Sequence, residues 1–202
     1  MKKLLVSLFV LCLLICGCSP KEVKASAAVE TYFTEHKNQI KEGDFESLGL
    51  GELTADGEAG FDEEVLKKLI TSIGDYDCKV NSEKEDGDTA TVNVTISTYD
   101  FSAWFSNSLS AAIGEALTLS LSGNDSDEAM TEIMNKVFNE QTDAIISAGK
   151  TKTTTLDIIC KKDNGQWVVD EEANGEELYD ALTGGLLSSL TEMASGLGDL
   201  LG

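Results

Sequence analysis

Helical and strand spacings of apolar residues follow one another along this chain. From residue 23, Val29, Phe33 and Ile40 recur at three- and four-residue steps, which predicts a helix that Gly43 ends. Asp44 can cap a short second helix, and residues 49–60 are acidic and glycine-rich, as in a loop. Residues 61–73 again show helical spacing. The first third of the chain is therefore predicted to be helical.

Two segments change to a period of two, which indicates half-buried strands. Residues 76–98 alternate apolar and polar side chains around a charged turn at Gly87, and residues 156–170 do so around Asp163-Asn164-Gly165. Each segment predicts an antiparallel hairpin, because alternation and a tight glycine turn are typical of that unit.

Between the hairpins, residues 101–147 predict a helical pair broken at Gly123-Asn124, with Asp125 and Glu128 capping the second helix. Residues 176–201 carry a leucine stripe that predicts a C-terminal helix continuing through Gly184 and Gly185. We therefore expect a single α+β domain over residues 29–202. Its core would be a curved antiparallel sheet of about four strands with helices packed on it.

The first 17 residues have the pattern of a secretory leader. Lys2 and Lys3 precede an apolar run from residue 4 to residue 15, which is short for a membrane-spanning helix. The run ends in Ile15-Cys16-Gly17-Cys18, which resembles the lipobox of bacterial lipoproteins. The resemblance implies a signal peptide over 1–17, diacylglycerol on Cys18, an N-acyl chain such as palmitate, and a tether over 18–28. The alternatives are an uncleaved N-terminal anchor and an ordinary secretory signal.

Charge narrows the classes of partner. The chain has 15 Lys and no Arg against 36 acidic residues, a formal charge of −21. Nucleic acid is excluded as a partner, because phosphate neutralisation needs a basic face. The expected partners are the membrane, reached through the lipid anchor, and an envelope protein, peptide or small apolar ligand.

Two segments carry a resemblance to a known family. The first helix closes with Lys41-Glu42-Gly43-Asp44-Phe45, and the last hairpin runs through residues 164–169 (Asn-Gly-Gln-Trp-Val-Val). Over residues 23–172 the chain resembles small lipoproteins of unknown function from Gram-positive bacteria with a nuclear-transport-factor-like, cystatin-like cone. The resemblance implies helices in the concave face of a curved sheet, and a binding or accessory role. The helical pair and the C-terminal helix are additions to the simplest members.

Candidate catalytic chemistry is sparse. His36 is the only histidine and lies on the apolar face of the first helix, where a packing role is favoured over that of a general base. No nucleophile elbow or phosphate-binding glycine motif is present. We therefore expect no enzymatic activity and no catalytic or cofactor-binding residues. The alternative is a cone-pocket enzyme, a hydrolase or isomerase, using His36 and a carboxylate.

Metal binding is not expected either. Acidic clusters occur at 125–128, 171–172 and 176–177. The first lacks calcium-loop spacing, and charge at helix N-termini explains both it and the cluster at 176–177. Phe101, Trp104 and Phe105, with Trp167, are expected in the core, the alternative being a pocket mouth or partner groove.

Two cysteines, Cys78 and Cys160, remain in the mature chain after Cys18. Both are on the apolar side of their strands, so the sequence allows either a disulfide between them or two buried free thiols. A meander in chain order favours free thiols, because an intervening strand holds the Cα atoms near 10 Å apart, beyond the reach of about 7 Å.

These inferences predict a membrane-anchored extracytoplasmic lipoprotein that acts as a non-catalytic binding or accessory module of the cell envelope. The remaining alternative is a structural protein that docks through its amphipathic C-terminal helix.

Overall fold

The computed structural model describes residues 23–42, 62–123 and 126–201. Six helices and four strands lie in these ranges: α1 (Ala25–Glu42), α2 (Glu63–Ile73), β1 (Asp77–Asp86), β2 (Thr89–Thr98), α3 (Phe101–Ser122), α4 (Asp127–Ala148), β3 (Lys152–Asp163), β4 (Gln166–Val169), α5 (Glu171–Leu182) and α6 (Leu186–Leu201). The leader, Cys18, the helix predicted after Asp44 and the loop at 49–60 lie outside the described residues.

The four strands form one antiparallel sheet in chain order. The edge strand β1 contains a bulge between Val80 and Ser82, a feature that bends a strand. Helices pack on this open sheet, so the predicted α+β class, with two hairpins and an inserted helical pair, is confirmed.

One face of the sheet is apolar and the other is polar, as the alternation in β2 predicts. Val92, Val94 and Ile96 are buried beneath α1 and α5. On the opposite face, Asn93 donates to Asp157 over 2.6 Å, and the hydroxyls of Thr95 and Thr155 lie 3.1 Å apart. The apolar face is filled by side chains of these two helices; we call this cluster the sheet core.

A second cluster lies at the helical pair. Ile73, Tyr99, Phe101, Trp104 and Ile145 pack together where α2, α3 and α4 meet. We call this cluster the pair core. Trp104 is held in it by donating to the buried Thr142 hydroxyl over 3.1 Å.

The start of α1 is fixed to the sheet by Glu83 of β1. Its carboxylate accepts from the Ser26 backbone N–H at 3.0 Å and lies 2.9 Å from Lys24 Nζ. These two contacts, with the Ser26 bond first, lower the pKa of the Glu83 carboxyl. Because a carboxylate stabilises a helix N-terminus, Glu83 fixes the point where the N-terminal segment enters the domain.

Two details of the helices differ from prediction. Ser126, not Asp125, caps α4, because its hydroxyl accepts the Ala129 N–H. The prediction of a single C-terminal helix is also wrong. Gly184 and Gly185 have φ of +57° and +83° and separate α5 from α6. A Cβ on Gly184 would lie 2.2 Å from the Tyr99 carbonyl oxygen, so this break also seats the α5–α6 corner against the start of α3.

Candidate functional site

His36 lies on α1 against the sheet core and contacts aromatic side chains. Its Nδ1 is 3.2 Å from the Tyr76 hydroxyl, and the Tyr76 hydroxyl donates to the Phe33 carbonyl oxygen over 3.0 Å. A phenol has one proton to donate, so Nδ1 must be the donor to Tyr76 if both bonds are made. This arrangement makes His36 Nδ1 a structural donor within the packed helix–sheet interface.

Burial governs the protonation of this group. Desolvation lowers the pKa of His36 and raises that of the fully buried Tyr76. The rings of Tyr32 and Tyr76 flank the imidazole at centroid distances of 6.4 and 5.9 Å. The contacts that define this position are therefore a phenol, aromatic rings and an apolar environment. These contacts support the packing role predicted for His36.

A cleft of about 1190 Å³ lies elsewhere, between α2 and α4. Its lining includes Lys67, Lys68 and Asn139 but not His36. Lys68 is engaged there by Asn139 at 3.1 Å and by Asp143. Within the described ranges, no group of three or more His, Cys, Asp or Glu side chains is placed to hold a metal ion.

The predicted aromatic group is split between the two cores. Phe101 and Trp104 are buried in the pair core with Phe105 packed beside them, whereas Trp167 is buried in the sheet core. The interpretation as core residues is confirmed, and the four do not meet at one pocket mouth.

Cys78 and Cys160 are both free thiols. Cys78 pairs with Ile96 and Cys160 with Ala90, so β2 lies between them. Six residues along a strand and two strand spacings separate their Cα atoms by roughly 20 Å, far beyond disulfide reach. Desolvation raises the pKa of each thiol to about 11, so both are neutral and unreactive near pH 7.

A surface that the sequence analysis missed lies on α3. Leu109, Ile113, Leu117 and Leu121 recur every four residues and are 42%, 54%, 60% and 90% exposed. We call these four residues the α3 ridge. The four-residue spacing was visible in the sequence, but only the packing of the helix shows which side faces solvent. Exposed apolar surfaces of this kind mark interaction sites.

The C-terminal helix α6 packs against α3 and is also partly exposed. Leu187, Leu190 and Met193 present apolar side chains to solvent. Docking through this helix, the alternative from the sequence, stays a prediction. Along the described part of the chain, no helix has the length and apolar character needed to cross a membrane.

No protein-family model and no curated protein matches the chain. Among solved structures, the chain is similar to a "putative lipoprotein", YcdA, from Bacillus subtilis subsp. subtilis str. 168. The identity is 18% and the TM-score 0.44, over 72% of this chain and 44% of that one. The chain thus has a neighbour named as a lipoprotein and spans less than half of its length.

Proposed function

We propose that this chain is a lipoprotein anchored through Cys18 at the outer face of the cell membrane, and that its domain is a non-catalytic binding or accessory module. The observation that carries the binding role is the α3 ridge, four large apolar side chains exposed on a helix whose opposite side is packed into the fold. Lipid on Cys18 is supported by Ile15-Cys16-Gly17-Cys18.

The length of the tether supports a domain held close to the bilayer. Ala25, the first residue of α1, is seven positions after Cys18 along the chain, and an extended chain of that length reaches at most roughly 24 Å. Glu83 then fixes the first turn of α1. Two or more acyl chains on Cys18 would give stable membrane attachment.

A non-catalytic role is supported by the surroundings of His36. Its described contacts are the Tyr76 hydroxyl and aromatic rings. A general base needs a position beside a substrate, whereas His36 is half-buried with its ring between those of Tyr32 and Tyr76.

The anchor is tested by intact-mass analysis of the membrane-extracted protein. We expect wild-type protein to start at Cys18 with added acyl mass, and Cys18→Ala to remain an unlipidated precursor. Cys16→Ala is the matched control, since it removes a neighbouring thiol and should leave acylation unchanged. A free Cys18 thiol in the wild-type protein would refute the anchor.

A further inference from the structure

We propose that the α3 ridge is the docking surface for a second copy of this chain, with the two α3 helices antiparallel about a two-fold axis. This inference rests on the binding role proposed above and names its partner.

The shape of α3 favours a copy of itself. Beside the ridge runs a parallel row of small side chains at the same four-residue spacing: Ser106, Ser110, Gly114 and Thr118. Rows spaced by four residues are the ridges that interdigitate in the commonest class of helix packing. The same face of α3 therefore holds both a ridge and a groove. A two-fold axis places the ridge of each copy over the groove of the other.

Charge restricts where a second copy can dock. The chain carries −21, so most of its surface repels a second copy. Glu115 is the one charged residue of α3; it lies on the side of the helix opposite the ridge, with its carboxylate 3.8 Å from Lys136 of α4. Two α3 ridges can thus meet without opposing like charges on these helices.

A bilayer surface is a poorer occupant. Helices that lie on membranes carry Lys or Arg beside their apolar face, whereas neither α3 nor α6 contains a basic residue. Anionic headgroups would also repel a chain of this charge.

The antiparallel arrangement defines a register. With the two-fold axis at the level of residue 115, the interdigitated ridges bring Ile113 beside Leu117 of the second copy, and Leu109 beside Leu121. Each apolar side chain of the ridge then has an apolar counterpart.

The experiment co-expresses two differently tagged copies of the full chain and captures one tag from gently solubilised membranes. We expect the second copy to co-purify for wild type, and Leu117→Lys in both copies to lower its recovery at least tenfold. Val23→Lys is the matched control, because Val23 is 65% exposed, lies outside the ridge and acquires the same charge. Its recovery should equal that of wild type.

A charge pair then tests the register. Ile113→Lys in one copy with Leu117→Glu in the other should restore recovery to at least half of wild type, whereas Ile113→Lys with Ile113→Glu should restore less. The proposal is overturned if wild-type copies do not co-purify, if Leu117→Lys has no effect, or if the like-position pair restores recovery better. Reduced membrane retention of a Cys18→Ala chain on adding Leu117→Lys would instead assign the ridge to lipid.

Failure here leaves the proposed function separately testable. If another protein is captured in a ridge-dependent manner while copies do not pair, the binding role holds and the second copy is wrong. Co-purification that requires an intact Cys18 would overturn pairing through the ridge.

Discussion

The sheet core and the α3 ridge are built from similar apolar residues, but the first is buried and the second is exposed. In the sheet core, apolar side chains of α1 and of the inner face of β2 are covered by an opposing layer. In α3, the buried side chains Phe101, Trp104, Ser108 and Ala112 occupy one side of the helix, and the large apolar ridge occupies the other.

This difference shows that apolar periodicity reports an element and its faces, but not which face is covered. A strand in a sheet is partnered by its neighbours and by the helices that close that face. A helix at the edge of the fold can direct a row of large apolar residues outward when its other side satisfies the contact with α4. The outward row is then available to a partner.

The comparison is tested most strongly by truncating one leucine from each region. Leu156→Ala should destabilise the fold by about 3 to 4 kcal/mol, because it leaves a cavity in the sheet core. Leu117→Ala should change stability by less than about 0.5 kcal/mol at dilutions that keep copies apart. Urea unfolding followed by circular dichroism measures both, and equal losses would contradict the described exposure of the ridge.

The next largest loss of stability is expected at the corner between α5 and α6. Gly184→Ala should cost about 3 kcal/mol, since it combines left-handed strain with a Cβ 2.2 Å from the Tyr99 carbonyl oxygen. Gly196→Ala is the control. Its Cβ meets nothing within 4 Å in a helix, so it should be neutral or stabilising. Thermal unfolding compares the two, and a neutral Gly184→Ala would refute this corner.

Asn174 tests how α5 is held on the sheet. Its amide accepts the Ile159 N–H at 2.8 Å and donates to the Ile159 carbonyl oxygen at 2.9 Å. Asn174→Ala should cost about 2 kcal/mol, because the half-buried Ile159 N–H loses this acceptor. The Ile159 carbonyl oxygen keeps the Asp170 N–H as a donor. Exposed Asn107→Ala should cost less than about 0.5 kcal/mol. Faster hydrogen exchange at Ile159 in the first variant alone would confirm the contact.

The smallest effect is expected at His36. His36→Gln should cost about 1 kcal/mol at pH 7.5, typical of a substitution without a large cavity. Burial lowers the pKa of His36 in the folded state below its ordinary value of 6.5, so the unfolded chain binds the proton more tightly. The contribution of His36 to the free energy of unfolding is therefore fully present above pH 6.5 and is lost as the pH falls.

Between pH 7.5 and pH 5, the free energy of unfolding should accordingly fall more steeply for the wild-type protein than for His36→Gln. Parallel profiles would show that His36 titrates as it does in the unfolded chain. Lysine substitution is unsuitable here, because it would bury a new charge.

Much of the fold was predictable because local signals agreed. Alternation in β2, the Asn164-Gly165 turn and the helical spacing of α1 each specified an element that the structure contains. Prediction failed at Gly184-Gly185, where a leucine stripe suggested a continuous helix and a tertiary contact with Tyr99 required positive φ instead. The spacing of apolar residues along the chain carries no information about such a contact.

The fold and the candidate functional site can be divided into what the sequence determined and what the tertiary structure determined. The sequence by itself determined the α+β class, the strand faces, the acidic charge and the resemblance of residues 15–18 to a lipobox. Only the tertiary structure decided that His36 donates to a buried phenol, that two cysteines lie far apart, and that the α3 ridge faces solvent. The reason is physical: propensity and period act within a dozen residues, whereas burial depends on which distant elements arrive to cover a face.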